Sequence, residues 1–192
     1  MTAPTNTPPH GLTLALLADT PSSAHAAARQ FCLDVIKEFY GFDYRPDWHH
    51  DMDTLLKPAA ENHYSAANRG AFWTLREPDG TLIATAGIRG IAWKPNLVQE
   101  FAARYPDPRK IGSLWRVYVR KDARGKGLGK WLSFMAEDEA FRRGYTTMYL
   151  HASSDAAATI AFWKSAGYAE IGESGFSTHF DKPLDGHSLA AA

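Results

Sequence analysis

The sequence predicts a domain of the α+β class, a mixed and mostly antiparallel sheet of about six to seven strands flanked by four helices. Three observations carry this reading: a β-hairpin signature near the middle of the chain, strand and helix periods that alternate after residue 113, and a glycine-rich basic turn joining one of those strands to a helix. The 192 residues are enough for one well-buried core, and 45% apolar with 22% charged residues is the composition of a folded protein.

Residues 12–17 form a short apolar run, and Asp19, Pro21 and Ser22 follow as turn and cap residues, so a strand leads into a helix at 26–40. Phe31, Val35 and Phe39 recur at a spacing of four and are expected to share its buried face, with Gly41 as the stop and Cys32 an inert thiol beside that face. Residues 47–62 are weakly helical. His49, His50, Asp51 and Asp53 lie there, but consecutive histidines on a helix diverge, so the segment is read as a solvated face and no metal is assigned. Residues 70–76 and 81–91 are rich in aromatic and β-branched side chains and flank Pro78-Asp79-Gly80, the signature of a hairpin. Residues 94–110 interrupt the pattern with three prolines and leave room for a short helix at 96–104.

From Ser113 the period returns to two, with Trp115, Val117 and Val119 expected on one face and Leu114, Arg116 and Tyr118 on the other. After the glycine-rich turn, Leu128, Leu132, Met135 and Ala136 mark the buried face of a helix that ends at Gly144. A strand at 146–152, a helix at 156–166 capped by Ser154 or Asp155, and a strand pair at 168–171 and 176–180 complete the order. The proline-bearing start, 1–11, and the end, 184–192, lack periodicity and read as flexible tails around a domain at 12–183.

Twenty-one basic residues balance 21 acidic ones, so there is no global field to draw the chain onto nucleic acid or an anionic membrane. A single cysteine forbids an intrachain disulfide, and no run approaches the roughly 18 apolar residues of a membrane span, so a cytoplasmic protein is expected. Any anion must then be held locally. The turn Arg124-Gly125-Lys126-Gly127-Leu128-Gly129-Lys130 is built for that: a helix N-terminus presents unpaired amides and partial positive charge, and glycines let a phosphate approach them. A Walker loop is excluded because Arg124 and Trp131 stand where it needs glycine and Ser or Thr, and the dinucleotide fingerprint fails at Lys130.

Val117-Tyr118-Val119 followed by this turn resembles the strand and pyrophosphate loop of the GNAT acyltransferase superfamily. The stretches 150–156 and 161–168 resemble the family's fifth strand and the helix that ends in a Gly-Phe pair, here Gly167-Tyr168. The resemblance implies a three-layer α/β/α domain whose sheet splays into a slot for acetyl-CoA. It also implies an N-acetyltransferase that moves the acetyl group to a small-molecule, peptide or protein amine by direct attack in a ternary complex, as a monomer or homodimer. Val117, Tyr118 and Val119 are expected to bind the pantetheine arm through their main chains, and Arg124, Gly125, Lys126, Gly127, Leu128, Gly129 and Lys130 the diphosphate.

Two positions depart from the family pattern. Trp163 stands where many members have a tyrosine that gives a proton to the departing thiolate, and indole cannot act as that acid; Ala156 replaces an asparagine that contacts the cofactor. These losses keep a second reading open, a catalytically weak or inactive acyl-CoA-binding sensor domain. His151 stands where some members carry a glutamate base and is the candidate base here, with Glu173, Asp51 and Asp53 as rivals.

Overall fold

In the computed structural model, residues 7–9 and 11–184 are described. They form a seven-stranded sheet in the order β1-β2-β3-β4-β5-β7-β6, with β1 Thr13–Leu16, β2 Ala71–Arg76, β3 Leu82–Gly90, β4 Ile111–Val119, β5 Thr147–Ser153, β6 Ala169–Ser174 and β7 Ser177–Pro183. The β4–β5 pair is parallel and the other pairs are antiparallel. The helices are α1 Ser23–Tyr40, α2 Pro46–Asp53, α3 Pro95–Glu100, α4 Leu128–Arg142 and α5 Ala157–Ser165. Most of the tails assigned to 1–11 and 184–192 lie outside the described residues. Leu184, placed in the tail by the sequence, is buried, and its N–H donates to the Thr146 carbonyl at 2.8 Å.

Three layers result. On one face Leu128, Leu132, Met135 and Ala136 of α4 pack with Trp163 of α5 onto Leu75, Ile83, Ile88 and Leu150 of the sheet, the face the periodicity predicts for α4. On the other face Ala28, Cys32 and Ile36 of α1 and Met52 of α2 meet Phe72 and Trp115. There the prediction for α1 needs correction. Phe39 is 51% exposed, and the buried stripe runs through Ala28, Cys32, Val35 and Ile36, where the small Ala28 and Cys32 let the helix sit close to the sheet. Cys32 is fully buried with Sγ 3.6 Å from Thr85 Oγ1, and burial pushes its thiol up to about 12. α5 also departs from expectation: its N-cap is Ala156, without a side-chain cap, while Asp155 accepts from Ser153 Oγ at 2.6 Å.

The segment read as a solvated face is the anchor of the second layer. His49 and Asp51 of α2 are buried, and Asp51 forms a bidentate ion pair with Arg116 of β4, whose Nε donates to Oδ2 at 2.9 Å and whose Nη2 donates to Oδ1. Tyr64 donates to Asp51 Oδ2 at 2.6 Å, and Arg116 Nη2 also reaches the Trp48 carbonyl at 2.8 Å. Burial would raise the Asp51 pKa, but the charge and hydrogen bonds of Arg116, with the charge of Arg89, outweigh it and hold the carboxyl well below the usual range.

Arg116 has φ 53, and the β3–β4 register slips between Thr85 and Gly87, so β4 carries a bulge at this residue. The extra residue reverses the expected alternation: Trp115 and Tyr118 join the α1–α2 layer, while Leu114, Val117 and Val119 face α4 and α5. A left-handed non-glycine residue costs about 1–3 kcal/mol and persists only where its surroundings impose it. Here the side chain is tied to α2, and Thr85 Oγ1 donates to the Arg116 carbonyl at 2.9 Å.

Removing one partner of a buried ion pair typically costs about 3–5 kcal/mol, so Asp51→Asn should lower stability to urea by that order, whereas Asp51→Leu with Arg116→Met should recover much of the loss. The folded carboxyl titrates below its unfolded value of about 4, so its stabilisation is complete above that pH and is lost as the pH falls through the lower folded value. The decline of stability with acid should therefore be shallower in Asp51→Asn. Equal urea midpoints for wild type and Asp51→Asn would show that the pair does not hold α2 to β4.

Candidate active site

β4 and β5 pair over three positions, Ile111 with Thr147, Gly112 with Met148 and Ser113 with Tyr149, and then separate. β5 remains paired with β7 along its whole length, and β4 remains paired with β3. The β5-facing edge of β4 from Leu114 to Val119 thus presents backbone groups without a neighbouring strand, a slot that opens through the sheet next to the bulge.

One end of the slot meets the glycine-rich turn. Gly125 and Gly127 have φ 77 and 78, a conformation that L side chains rarely adopt, and Gly127 is the N-cap of α4. The first bond into the helix runs from Trp131 N–H to the Gly127 carbonyl at 3.0 Å, so the amides of Leu128, Gly129 and Lys130 precede it without an acceptor in the helix. A Cβ on Gly129 would lie 3.3 Å from Phe162 Cζ and 4.0 Å from Val119 Cγ2, which brings β4, α4 and α5 together at this point.

The basic residues around the turn are not equivalent. Arg124 Nε donates to the Val119 carbonyl at 2.9 Å, which ties the turn to the end of β4, and Lys130 Nζ donates to the Ser165 carbonyl at 3.2 Å. Arg120 is engaged by Asp122 and Glu77, away from the turn, and Lys126 is exposed. The structure thus gathers Val117 to Val119 and residues 124–130 at one end of the slot.

The other side holds a cavity of about 280 Å³ lined by Lys94, Asn96 and Glu100 from α3 and its approach, by His151 of β5, His179 of β7, and Phe176 in the β6–β7 turn. His151 is exposed to this cavity and meets Trp115 edge-on, with ring centroids 5.2 Å apart. Crowding by the walls removes water from its imidazolium, and His179, Arg116, Lys94 and Arg89 repel the charge, so its pKa falls to about 4. It is a neutral base at pH 7.

His179 lies 2.6 Å from Tyr149 Oη and 2.9 Å from Ser174 Oγ, with Glu100 3.9 Å away. The rival bases fare differently. Asp51 is consumed by Arg116, Asp53 by Arg29 and Tyr44, and Glu173 accepts from Thr178 Oγ1 at 3.0 Å. Trp163 is core, packed edge-on to Phe162 and Tyr168.

Sequence reasoning singles out neither Lys94 nor Glu100, although it sets the insertion at 94–110 near the acceptor pocket, and it misses His179. They come from the proline-bearing insertion and the last strand, neither of which carries a motif; only the interruption of the strand pattern at 94–110 signalled that the chain builds something extra there. Among the described residues no group of three or more His, Cys, Asp or Glu is placed to hold a metal, and no helix is long and apolar enough to cross a membrane.

A model of the acetyltransferase (GNAT) family matches residues 33–168. Among solved structures, a GNAT-family acetyltransferase from Staphylococcus aureus Mu50 superposes with a TM-score of 0.67 at 15% identity over 90% of this chain and 100% of that one. The yncA protein of Salmonella typhimurium, solved with its cofactor acetyl-CoA, gives 0.65 at 21% identity over 95% and 99%. The PaiA N-acetyltransferase of Thermoplasma acidophilum, in complex with coenzyme A, gives 0.63 at 16% over 89% and 99%. No curated protein matches the sequence significantly. At these identities the solved structures speak for the fold alone, but the family pattern spans the slot, the bulged strand and the glycine-rich turn, and the chain belongs to the acetyltransferase (GNAT) family.

Proposed function

We propose that this chain is an N-acetyltransferase that takes its acetyl group from acetyl-CoA and passes it to an amine held in the cavity beside His151. The observation that carries this reading is the placement of an unpaired strand edge between two unlike features, the glycine-rich start of α4 at residues 124–130 and a cavity with a neutral histidine. Bound acetyl-CoA would supply an activated thioester. Residues 125–130 would hold its diphosphate with main-chain amides, with Arg124 and Lys126 adding charge, and Val117, Tyr118 and Val119 would hydrogen-bond the pantetheine arm along the free edge.

In the transfer, an amide of β4 polarises the thioester carbonyl, and the amine nitrogen attacks its carbon as the C–S bond breaks. His151 takes the proton from that nitrogen, directly or through water. A weak base suffices, because the nitrogen becomes far more acidic once it has added to the carbonyl. Solvent protonates the departing thiolate, since Trp163 has no acidic hydrogen to give. The open strand edge at 114–119 offers the carbonyl its donor without a strand partner to displace.

Acetyl-CoA should raise the melting temperature by mass action, corresponding to about 2.7 kcal/mol at a hundredfold excess over its dissociation constant, while NADH and ATP shift it much less. Equal shifts by all three would remove the cofactor assignment.

At Gly127 the space around a Cβ is open but φ is 78, so Gly127→Val strains the fold as well as the cradle, whereas Gly127→Asn tolerates the left-handed conformation. The asparagine variant should melt near wild type yet bind acetyl-CoA at least about tenfold more weakly by calorimetry. Unchanged affinity in that variant would place the diphosphate elsewhere.

His151→Gln should keep its affinity for acetyl-CoA and lose about a hundredfold to ten-thousandfold in turnover with an amine panel. The acidic limb of the wild-type rate profile should fall near pH 4 rather than near the ordinary histidine value of about 6.5, and it should flatten in the variant. Unaltered turnover together with an unaltered limb would return His151 to a structural role.

A further inference from the structure

Three cations converge on one indole. Arg89 Cζ lies 4.0 Å from the centroid of Trp115, Lys94 Nζ 5.4 Å and Arg116 Cζ 5.6 Å. Asp51 is the carboxylate bonded among them, and both of its oxygens are taken by Arg116. Arg89 is 1% exposed. Its Nη1 donates to His63 Nδ1 at 2.8 Å, but its Nε and Nη2 have no acceptor. The neighbouring histidines do not compensate it: burial, then the charge of Arg89, lower the His63 pKa to about 4, and His151 is neutral as well. Lys94 is half-buried, lines the cavity and has no carboxylate partner among the described residues. Glu100, the carboxylate in the cavity wall, stands next to His179.

A buried guanidinium with two unsatisfied donors is costly, and folds keep such groups where something else requires them. Arg89 packs on Trp115 outside the cavity lining and Lys94 belongs to the lining, so the region beside His151 holds three cations against the single carboxylate of Asp51 and carries an excess of positive charge. We infer that the acceptor amine carries an anionic group, a carboxylate or a phosphate, which Lys94 binds directly while the charge of Arg89 strengthens the field behind it. The inference rests on the N-acetyltransferase reading for the meaning of the cavity, and on the cation cluster alone for the chemistry of its ligand. A neutral amine of the same size would leave Lys94 and Arg89 facing an uncharged group, and a site built around such charges discriminates strongly against a ligand without the complement.

The test pairs each of a set of L-α-amino acids with its carboxamide, and O-phosphoethanolamine with ethanolamine. Each compound is assayed for turnover with acetyl-CoA, and its N-acetylated form is titrated by calorimetry into the protein saturated with CoA. Wild type should favour the anionic member of at least one pair by about tenfold or more in kcat/KM and in affinity. The pair that shows the preference distinguishes carboxylate from phosphate. Lys94→Gln should abolish the preference by raising KM for the anionic member about tenfold more than for the neutral one, and Lys94→Arg should restore most of it.

Because the calorimetric arm needs no turnover, the two readings fail separately. A Lys94-dependent preference in binding with no amine acetylated would uphold the anion site and overturn the transferase reading. Acetylation of neutral and anionic members with equal efficiency, or a preference that survives in Lys94→Gln, would overturn the anion site.

Discussion

The ion pair between Asp51 and Arg116 is the constraint on which the rest of the architecture depends. It joins the second helix to the middle of the fourth strand, and in doing so it holds Arg116 in a conformation that an arginine would not otherwise keep. The bulge turns the end of β4, so that Trp115 and Tyr118 enter one layer while Val117 and Val119 enter the other. β4 parts from β5 just before this point. A regular strand here would carry its alternation through to Val119, with Trp115 and Val119 on one face. Charge burial and the geometry of β4 therefore meet at one residue, beside the slot.

The two sides of the slot solve different electrostatic problems with different materials. At the glycine-rich turn the positive potential comes largely from main-chain amides at a helix start, which need no side chain in a particular rotamer and remain wet. On the cavity side it comes from side-chain cations around an aromatic ring, the buried Arg89 and the half-buried Lys94. A diphosphate suits the first, being large, exposed and always charged.

Much of the fold was legible because it rests on local rules. Pro78-Asp79-Gly80 forces a turn, Leu128, Leu132, Met135 and Ala136 mark a helix face, and the glycines at 125 and 127 mark a turn that leads into that helix with positive φ. What was not legible depends on partners far away in the chain. Asp51 looks solvated in a polar run of histidines and aspartates, and nothing within ten residues announces an arginine 65 positions later that buries it. The bulge was hidden for the same reason: period-two alternation in 113–119 is unbroken in sequence, and the slip appears only when β4 is paired with Thr85 and Gly87. His151 was found through the likeness of its strand to a family pattern, whereas Lys94, Glu100 and His179 come from segments without one.

Cys32 has a practical consequence. Transfer from a thioester is conveniently followed by the free thiol it releases, and a protein's own cysteines usually compete for the reagent. The chain has one cysteine, sealed beneath α1 against Thr85, with its thiol pushed up to about 12 so that almost none is the reactive thiolate. The folded protein should therefore be silent to a disulfide reagent, and colour that develops during turnover should be product. Colour that develops without substrate counts molecules that have opened, which makes the same reagent a clock for unfolding.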